Sequence, residues 1–303
     1  MFHRRLFLTA LASAVASPAL AKDTDYIDLM ADFWPVYDKT HNAPDRASAL
    51  LAGFFTPHAD VYAGAGVKLS EERITKWLPQ FDPTADDVRR LWRHFPRQFR
   101  KHNQHFAQFL PDFDSNRAPI YVMPSLYNFD GHLQPWEGKV PLFLGLDGII
   151  KYHGARTDLS VLLDHESFHL YQAQAYPEQS LDATPQVYVA LWMEGCATYV
   201  SGLMNPKASR VNVLLDDAEL TQVTPETVQV AIADLLTCLE SRDDKDYGRF
   251  FYANYKSSIP SRMGYLIGFM VAERSGKTMT PAEMARVPND QLLVLVRDVL
   301  KTL

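Results

Sequence analysis

The segment HESFH, residues 165–169, places two histidines four residues apart with a glutamate directly after the first. On an α-helix this spacing puts His165 and His169 on one face about one turn apart, so two neutral imidazoles can bind one Zn²⁺. Glu166 then lies beside the metal, where it can accept a proton from zinc-bound water. The segment therefore predicts a hydrolytic metal site, with Glu166 as general base.

A catalytic zinc needs a third protein ligand, which leaves the fourth position for water. Glu194 lies 25 residues after His169, which is room for a loop and a returning helix. The small residues Gly195 and Ala197 would let that helix approach the first closely. Glu194 is therefore predicted to be the third ligand, and the alternative is a buried carboxylate paired with an arginine.

Other candidates for the third ligand are weaker. A metzincin would need a glycine three residues and a histidine six residues after the second histidine, where this chain has Gln172 and Ala175. Glu178 and Asp182 lie in the connecting segment but lack small neighbours, and Glu240 is far along the chain.

The oxyanion formed during hydrolysis needs a hydrogen-bond donor besides the metal. Tyr265 and Arg262 are three residues apart and share a helix face, so they are the preferred pair, with His153 and Tyr199 as alternatives. Tyr199 is expected to point elsewhere, because five residues along a regular helix turn it about 140° from Glu194. The structural interpretation is packing for Tyr265 and an ion pair for Arg262.

Neighbouring polar residues could orient the ligands. Asp147 and Asp164 are candidates to accept the histidine N–H groups, and Asp164 could instead favour the N-terminal end of the helix. Thr198 shares a face with the third ligand, whereas Cys196 lies about 200° away from it and is expected to face the core. Cys196 and Cys238 could form a disulfide in an exported protein or remain buried free thiols.

The elements that carry these residues are predicted from hydrophobic patterns. Short β-branched and aromatic runs predict strands at 120–123 and 141–146, before the HExxH helix, and the sheet edge could hold an extended substrate. Ser70 and Thr224 are predicted helix N-caps. Apolar residues at helical spacing predict helices over much of the rest, among them 27–37, 185–204 and 260–273. The predicted fold class is α+β, mainly helical and zincin-like, with a small β-sheet before the HExxH helix and a helical C-terminal part.

Residues 1–21 are predicted to be an export signal. Arg4 and Arg5 precede a mostly apolar run over 6–16 and a small-x-small cleavage site at 19–21. The run RRLFL over 4–8 matches the twin-arginine pattern, with Sec export as the alternative. The expected location is therefore the periplasm or the cell exterior. No later run of 18 uninterrupted apolar residues occurs, so no membrane span is predicted.

Composition narrows the class of protein. The chain of 303 residues is 47% apolar, so a sizeable core can form. Its formal charge is -6; without residues 1–21, which hold two arginines and no acidic residue, 28 Lys+Arg face 36 Asp+Glu, or -8. This balance argues against a nucleic-acid-binding protein, which normally has a strong basic excess.

HExxH followed by the run EGCATY, residues 194–199, resembles the gluzincin arrangement of zinc metallopeptidases. With the runs over 143–147 and 260–268, the chain is similar to a family of bacterial predicted Zn-dependent proteases related to gliding-motility lipoproteins. The resemblance covers roughly 119–303 and implies one Zn²⁺ and a peptide or protein substrate. It divides the mature chain into an N-terminal helical region over 22–118 and a metallopeptidase domain over 119–303. The gap between His169 and Glu194 is somewhat longer than in the thermolysin-like pattern.

Three functions are therefore considered. The leading hypothesis is an exported zinc metallopeptidase. The second is a periplasmic protein that uses this fold for binding or assembly with little or no hydrolysis, although a scaffold has no need of Glu166. The third is a zinc hydrolase that acts on a non-peptide amide or ester. The sequence leaves the oligomeric state and the choice between endo- and exopeptidase action open.

Overall fold

The computed structural model describes residues 26–155, 158–182 and 184–303, so the predicted export signal lies outside the described residues. Fifteen α-helices and four strands occur in this part of the chain. The helices are α1 Met30–Thr40, α2 Arg46–Leu50, α3 Ala59–Gly64, α4 Glu71–Phe81, α5 Ala85–Phe109, α6 Leu146–His153, α7 Ser160–Ala175, α8 Pro177–Ser180, α9 Val187–Met204, α10 Arg210–Val213, α11 Pro225–Cys238, α12 Asp244–Phe251, α13 Met263–Ser275, α14 Pro281–Met284 and α15 Asn289–Leu300.

The strands form one small sheet in the order β1-β2-β4-β3. They are β1 Ile27–Asp28, β2 Ile120–Met123, β3 Gly131–Leu133 and β4 Leu142–Gly145. β1, β2 and β4 are parallel, whereas β3 runs antiparallel to β4 and forms an edge of the sheet. The strands predicted at 120–123 and 141–146 are β2 and β4, and the fold is α+β and mainly helical, as predicted.

The first predicted helix begins later than the hydrophobic pattern indicated. Ile27 and Asp28 pair with β2 as a short strand, and the backbone N–H of Leu29 bonds to the Val122 carbonyl at 2.9 Å. The Asp28 carboxylate then accepts a hydrogen bond from the N–H of Met30, at the start of α1. Sheet pairing with a distant strand therefore overrides the local helical pattern here.

The N-terminal helices and the sheet share one hydrophobic cluster. Phe33 of α1 and Trp77 of α4 belong to it together with Phe143 of β4 and Leu163 of α7. The N-terminal region also supplies β1. The two regions are therefore joined through a shared core. The domain boundary predicted between residues 118 and 119 stays a prediction.

Helix α7 lies between two hydrophobic clusters. Leu163 and Leu170 pack into the cluster formed with the sheet, whereas Phe168 and Tyr171 pack into a second one formed by the C-terminal helices. Every residue from Val161 to Gln172 is buried as a result. A helix buried all round is normally apolar. This one nevertheless buries six polar residues: Asp164, His165, Glu166, Ser167, His169 and Gln172.

Helices α9 and α13 cross at two glycines. A Cβ atom added to Gly195 would lie 2.2 Å from the Gly268 carbonyl oxygen, and one added to Gly268 would lie 2.5 Å from the Leu191 carbonyl oxygen. Gly195 was predicted to let α9 approach the HExxH helix, but it faces α13 instead. The contact is between backbones, so neither helix has room for a side chain at the crossing.

Within the three described ranges, no helix is both long and apolar enough to cross a membrane.

The Gly195→Ala substitution should lower the free energy of unfolding by about 1–3 kcal/mol, because the added methyl group forces the two helices apart. Alanine is otherwise the better helix former by about 1 kcal/mol, so the expected sign is opposite to that of helix propensity. Urea denaturation followed by circular dichroism measures the change. Gly202→Ala on the same helix is the control, since its methyl group meets only the Val213 side chain, at 3.1 Å. An unfolding free energy equal to or above that of the wild type would contradict the close crossing.

Candidate metal centre

The three predicted ligands converge in the structure. His165 Nε2 and His169 Nε2 are 3.1 Å apart. Glu194 Oε2 lies 3.3 Å from the first nitrogen and 3.4 Å from the second. The three atoms thus form a nearly equilateral triangle. A tetrahedral Zn²⁺ with bonds of about 2.0–2.1 Å requires ligand atoms about 3.3–3.4 Å apart, which this triangle matches.

Two packed helices produce the triangle. His165 and His169 are one turn apart on α7, and Glu194 is supplied by α9, which packs against α7. The alternative interpretation of Glu194 was an ion pair with an arginine. Its ion-pair partners in the described structure are the two imidazoles instead.

The electrostatics of the triangle favour a cation. Although burial opposes ionisation of the Glu194 carboxyl, the two nearby imidazoles hold its pKa well below the usual range. Burial likewise opposes the charged form of His169, but the Glu194 carboxylate outweighs it and raises the pKa of His169 to about 9. Burial lowers the pKa of His165. A divalent ion would replace the proton that His169 holds between these groups.

Two buried polar atoms also indicate a missing partner. Within the described residues, Glu194 Oε2 and His165 Nδ1 make no hydrogen bond. A buried polar atom without a partner is costly, so native structures rarely contain one. A metal ion held by the triangle would satisfy the Glu194 oxygen, whereas His165 Nδ1, which is not a corner of the triangle, would still lack a partner. The donor set therefore fits a bound metal, and these three residues form the candidate metal group of the described chain.

Glu166 lies next to the triangle and against the edge strand. Its side chain is nearly buried, at 7% exposure, and a Cβ atom added to Gly131 of β3 would lie 2.4 Å from its carboxyl carbon. Burial, with the Asp130 and Glu194 carboxylates, raises the pKa of Glu166 to about 8. A cation held by the neighbouring ligands would favour the ionised form that a general base requires.

The ligands and Glu166 open onto one cleft of about 340 Å³ between β3, α9 and α13. Tyr265 and Arg262 line the same cleft. The Tyr265 ring stacks on the His165 ring with centroids 6.4 Å apart, and the Arg262 guanidinium lies 4.5 Å from the centre of the Tyr265 ring. Both residues therefore line the cleft, although Arg262 precedes α13 in a left-handed conformation and does not share a helix face with Tyr265; their role as oxyanion donors stays a prediction.

The two other oxyanion candidates are engaged elsewhere. His153 lies between two carboxylates, with Nε2 2.6 Å from Asp130 and Nδ1 2.7 Å from Asp216. Burial opposes its charged form, but the Asp130 carboxylate outweighs burial and raises the pKa of His153. Neither ring nitrogen is left to donate to a substrate. Tyr199 packs against Phe269, away from the ligands, as expected.

Gln172, which was not predicted from the sequence, orients the predicted ligand His169. Its Oε1 accepts a hydrogen bond from His169 Nδ1 at 2.9 Å, which directs Nε2 towards the centre of the triangle. Gln172 is three residues after His169 on the same helix face, so its spacing could have revealed it. Its amide N–H₂ group contacts the Met193 carbonyl at 3.5 Å.

Asp147 and Asp164, which were predicted to accept the N–H groups of the two histidines, have other partners. Asp164 pairs with His102 of α5 at 2.9 Å and accepts a hydrogen bond from Asn205. Asp147 accepts hydrogen bonds from Trp77 and from the N–H groups of the loop after β2. Both predictions were wrong, because each carboxylate binds a donor from a distant part of the chain. Thr198 Oγ1 makes no hydrogen bond within the described residues.

Two other candidates for the third ligand form ion pairs with arginines, and the two cysteines are not bonded to each other. Asp182 lines the cleft but pairs with Arg242 at 2.7 Å, and Glu240 pairs with Arg297 at 2.8 Å. Cys196 and Cys238 are both buried and free, so they do not form a disulfide. Cys196 lies in the hydrophobic core, as expected.

The Gln172→Leu substitution should weaken zinc binding about 10- to 100-fold, because His169 loses the acceptor that fixes its orientation. Competition with a chromophoric chelator measures the dissociation constant. Gln174→Leu removes an amide from the same helix, where Gln174 bonds to the backbone of Asp114, and serves as the control. Equal zinc affinity in the Gln172 and Gln174 variants would show that Gln172 does not orient the ligand.

No protein-family model, curated protein or solved structure matches this chain.

Proposed function

We propose that the protein is a zinc-dependent metallopeptidase of the gluzincin type, with a zincin-like fold over 119–303. The observation that carries this proposal is the triangle formed by His165, His169 and Glu194, with Glu166 beside it in the same cleft. Three protein ligands leave one position open, as in catalytic rather than structural zinc sites.

The identity of the metal follows from the donors and from Glu166. Two imidazoles and one carboxylate suit Zn²⁺, and the same set can also hold Fe²⁺ in an octahedral site. A buried carboxylate next to the ligands favours hydrolysis, because a general base has a task there. We therefore assign one Zn²⁺ to the site.

In the proposed mechanism, the metal supplies part of the chemistry and the side chains of the cleft supply the rest. When bound, Zn²⁺ polarises the substrate carbonyl and lowers the pKa of a water molecule. Glu166 is placed to accept a proton from that water in the cleft and to pass it to the leaving amine. Gln172 holds His169 in the orientation that its ligand nitrogen needs.

Tyr265 is our preferred oxyanion donor, because its ring lies beside that of the proposed ligand His165, with centroids 6.4 Å apart. Burial, reinforced by the Glu194 carboxylate, raises the pKa of Tyr265 well above its ordinary value. The phenol therefore stays protonated and able to donate a hydrogen bond. The Arg262 guanidinium instead contacts Tyr265 and Asp217.

A peptide is favoured over other amides and esters by the edge strand. β3 pairs with β4 on one side, and Gly131, His132 and Leu133 line the cleft. An extended peptide can add to such an edge through main-chain hydrogen bonds. A small ester or amide has no main chain to pair in this way.

Two alternatives are separated by experiment. A binding or assembly protein would hold zinc but hydrolyse no peptide, and a non-peptide hydrolase would cleave esters or amides only. Export through the signal predicted at 1–21 would place the proposed activity in the periplasm or outside the cell, and the twin-arginine route would carry the folded protein with its metal.

The Glu166→Gln variant should keep stoichiometric zinc and lose about 10²- to 10⁴-fold in kcat on a peptide library, because the base is gone and the ligands remain. The His169→Ala variant should lose both zinc and activity. Metal content by mass spectrometry and peptide hydrolysis give the two readouts. Full activity in the Glu166 variant, or unchanged zinc in the His169 variant, would overturn the proposed site.

The Gly131→Ala substitution should reduce kcat about tenfold or more, because its methyl group would displace the Glu166 carboxylate from its place beside the cleft. Zinc content should not change, since the three atoms nearest the new methyl group all belong to Glu166, which is not a predicted ligand. Gly202→Ala, away from the cleft, controls for the glycine replacement itself. Wild-type kcat in the Gly131 variant would show that the position of Glu166 does not depend on β3.

A further inference from the structure

The cleft contains one fixed cation among carboxylates. Of the described residues that line it, Arg262 is the one arginine or lysine. The acidic residues around it are accounted for: Glu194 and Glu166 belong to the metal site, Asp130 pairs with His153, and Asp182 pairs with Arg242. Arg262 is therefore the group in this cleft that could bind an anionic part of a substrate.

The Arg262 guanidinium is only partly engaged. Within the described chain it hydrogen-bonds to Asp217, through Nη1 alone and at 3.3 Å. Charge-assisted hydrogen bonds are usually about 2.7–2.9 Å, and arginine pairs best with a carboxylate through two parallel bonds. The remaining N–H groups can form such a two-bond pair with a second carboxylate.

The backbone at Arg262 is unusual. Its φ of 60° and ψ of 19° put it in the left-handed region, immediately before α13 begins. A side-chain-bearing residue adopts this conformation at a cost, whereas glycine adopts it freely. The N-terminal end of α13 also carries a partial positive charge that favours an anion nearby.

The position of the guanidinium limits which carboxylate it can reach. It lies 4.5 Å from the centre of the Tyr265 ring, which is 6.4 Å from the centre of the His165 ring. The sum of these two distances is the most that can separate the guanidinium from the His165 ring, and it equals about three extended residues of ~3.5 Å each. A carboxylate bound by Arg262 therefore belongs to a residue within about three positions of the bond that is cleaved.

We infer that Arg262 binds the C-terminal carboxylate of the peptide substrate and that the protein acts as a carboxypeptidase, releasing one to about three residues. This inference rests on the proposed function. One water is consumed: its oxygen bonds to the scissile carbonyl carbon, the C–N bond breaks, and the leaving nitrogen becomes an amine. Arg262 determines specificity and takes no part in proton transfer.

The first test compares peptides that end in a free carboxylate with the same peptides ending in an amide. The zinc-loaded full chain should shorten the free acids from the C-terminus, and mass spectrometry identifies the released residues. The amides should be cleaved on the order of 10- to 100-fold more slowly, because they lose the charge-assisted hydrogen bonds from the guanidinium to the carboxylate. Equal rates for acid and amide, or cleavage far from the C-terminus, would overturn the inference while the peptidase function stands.

The second test changes the arginine. Arg262→Met should raise KM for the acids at least about tenfold and bring the acid-to-amide ratio of kcat/KM close to one, with zinc content unchanged. Arg262→Lys keeps the charge but loses the two-bond geometry, so it should retain only part of the preference. Arg274→Met removes an exposed arginine from the last turn of α13, the helix that Arg262 precedes, and should keep the wild-type ratio. If the role of Arg262 were purely structural, Arg262→Met would lower the stability of the protein and leave the acid-to-amide ratio of kcat/KM unchanged.

A binding measurement separates the inference from the catalytic proposal. Zinc-loaded Glu166→Gln protein should bind an acid peptide on the order of tenfold or more tightly than its amide by calorimetry, and Arg262→Met should remove the difference. Acid-selective binding without hydrolysis by the wild type would support carboxylate binding by Arg262 but overturn the peptidase function, and the carboxypeptidase activity with it. Equal binding of both peptides would overturn the inference alone.

Discussion

The convergence of three polar atoms on one buried point is the constraint on which the rest of the structure depends. Two imidazole nitrogens and a carboxylate oxygen within 3.1–3.4 Å of one another are unfavourable neighbours unless a cation joins them. The fold holds them there by packing α7 on both sides and by crossing α9 and α13 at Gly195 and Gly268 without side chains between them. The hydrophobic effect thus supplies the energy that keeps a polar centre assembled.

Local spacing in the sequence was enough to predict the features that lie within one helix. The shared face of His165 and His169 follows from helical geometry, and so do the N-caps Ser70 and Thr224, whose side chains accept backbone N–H groups at the start of α4 and α11. Glu194 could be predicted because a third ligand is chemically required. The strands β2 and β4 were predicted by their composition, since buried parallel strands are continuously apolar.

Contacts between distant segments could not be read from local patterns. Asp147 and Asp164 were expected near the ligands, but Trp77 and His102 bind them from α4 and α5. Spacing along one helix says nothing about which residue of another helix packs opposite. The short strand at Ile27 was missed for the same reason, because its partner lies in β2. Gln172 is the exception, since three residues along α7 would have placed it beside His169.

The segment after α10 joins the two walls of the cleft. Leu215 and Asp216 both have positive φ, and the neighbouring aspartates have different partners: Asp216 binds His153, and Asp217 binds Arg262. A few residues thereby tie the wall that carries Asp130 to the wall that carries the guanidinium. This strap, residues 215–217, therefore links the two walls of the cleft through side-chain contacts. Insertions or deletions in the strap would therefore change the width of the cleft without altering His165, His169 or Glu194.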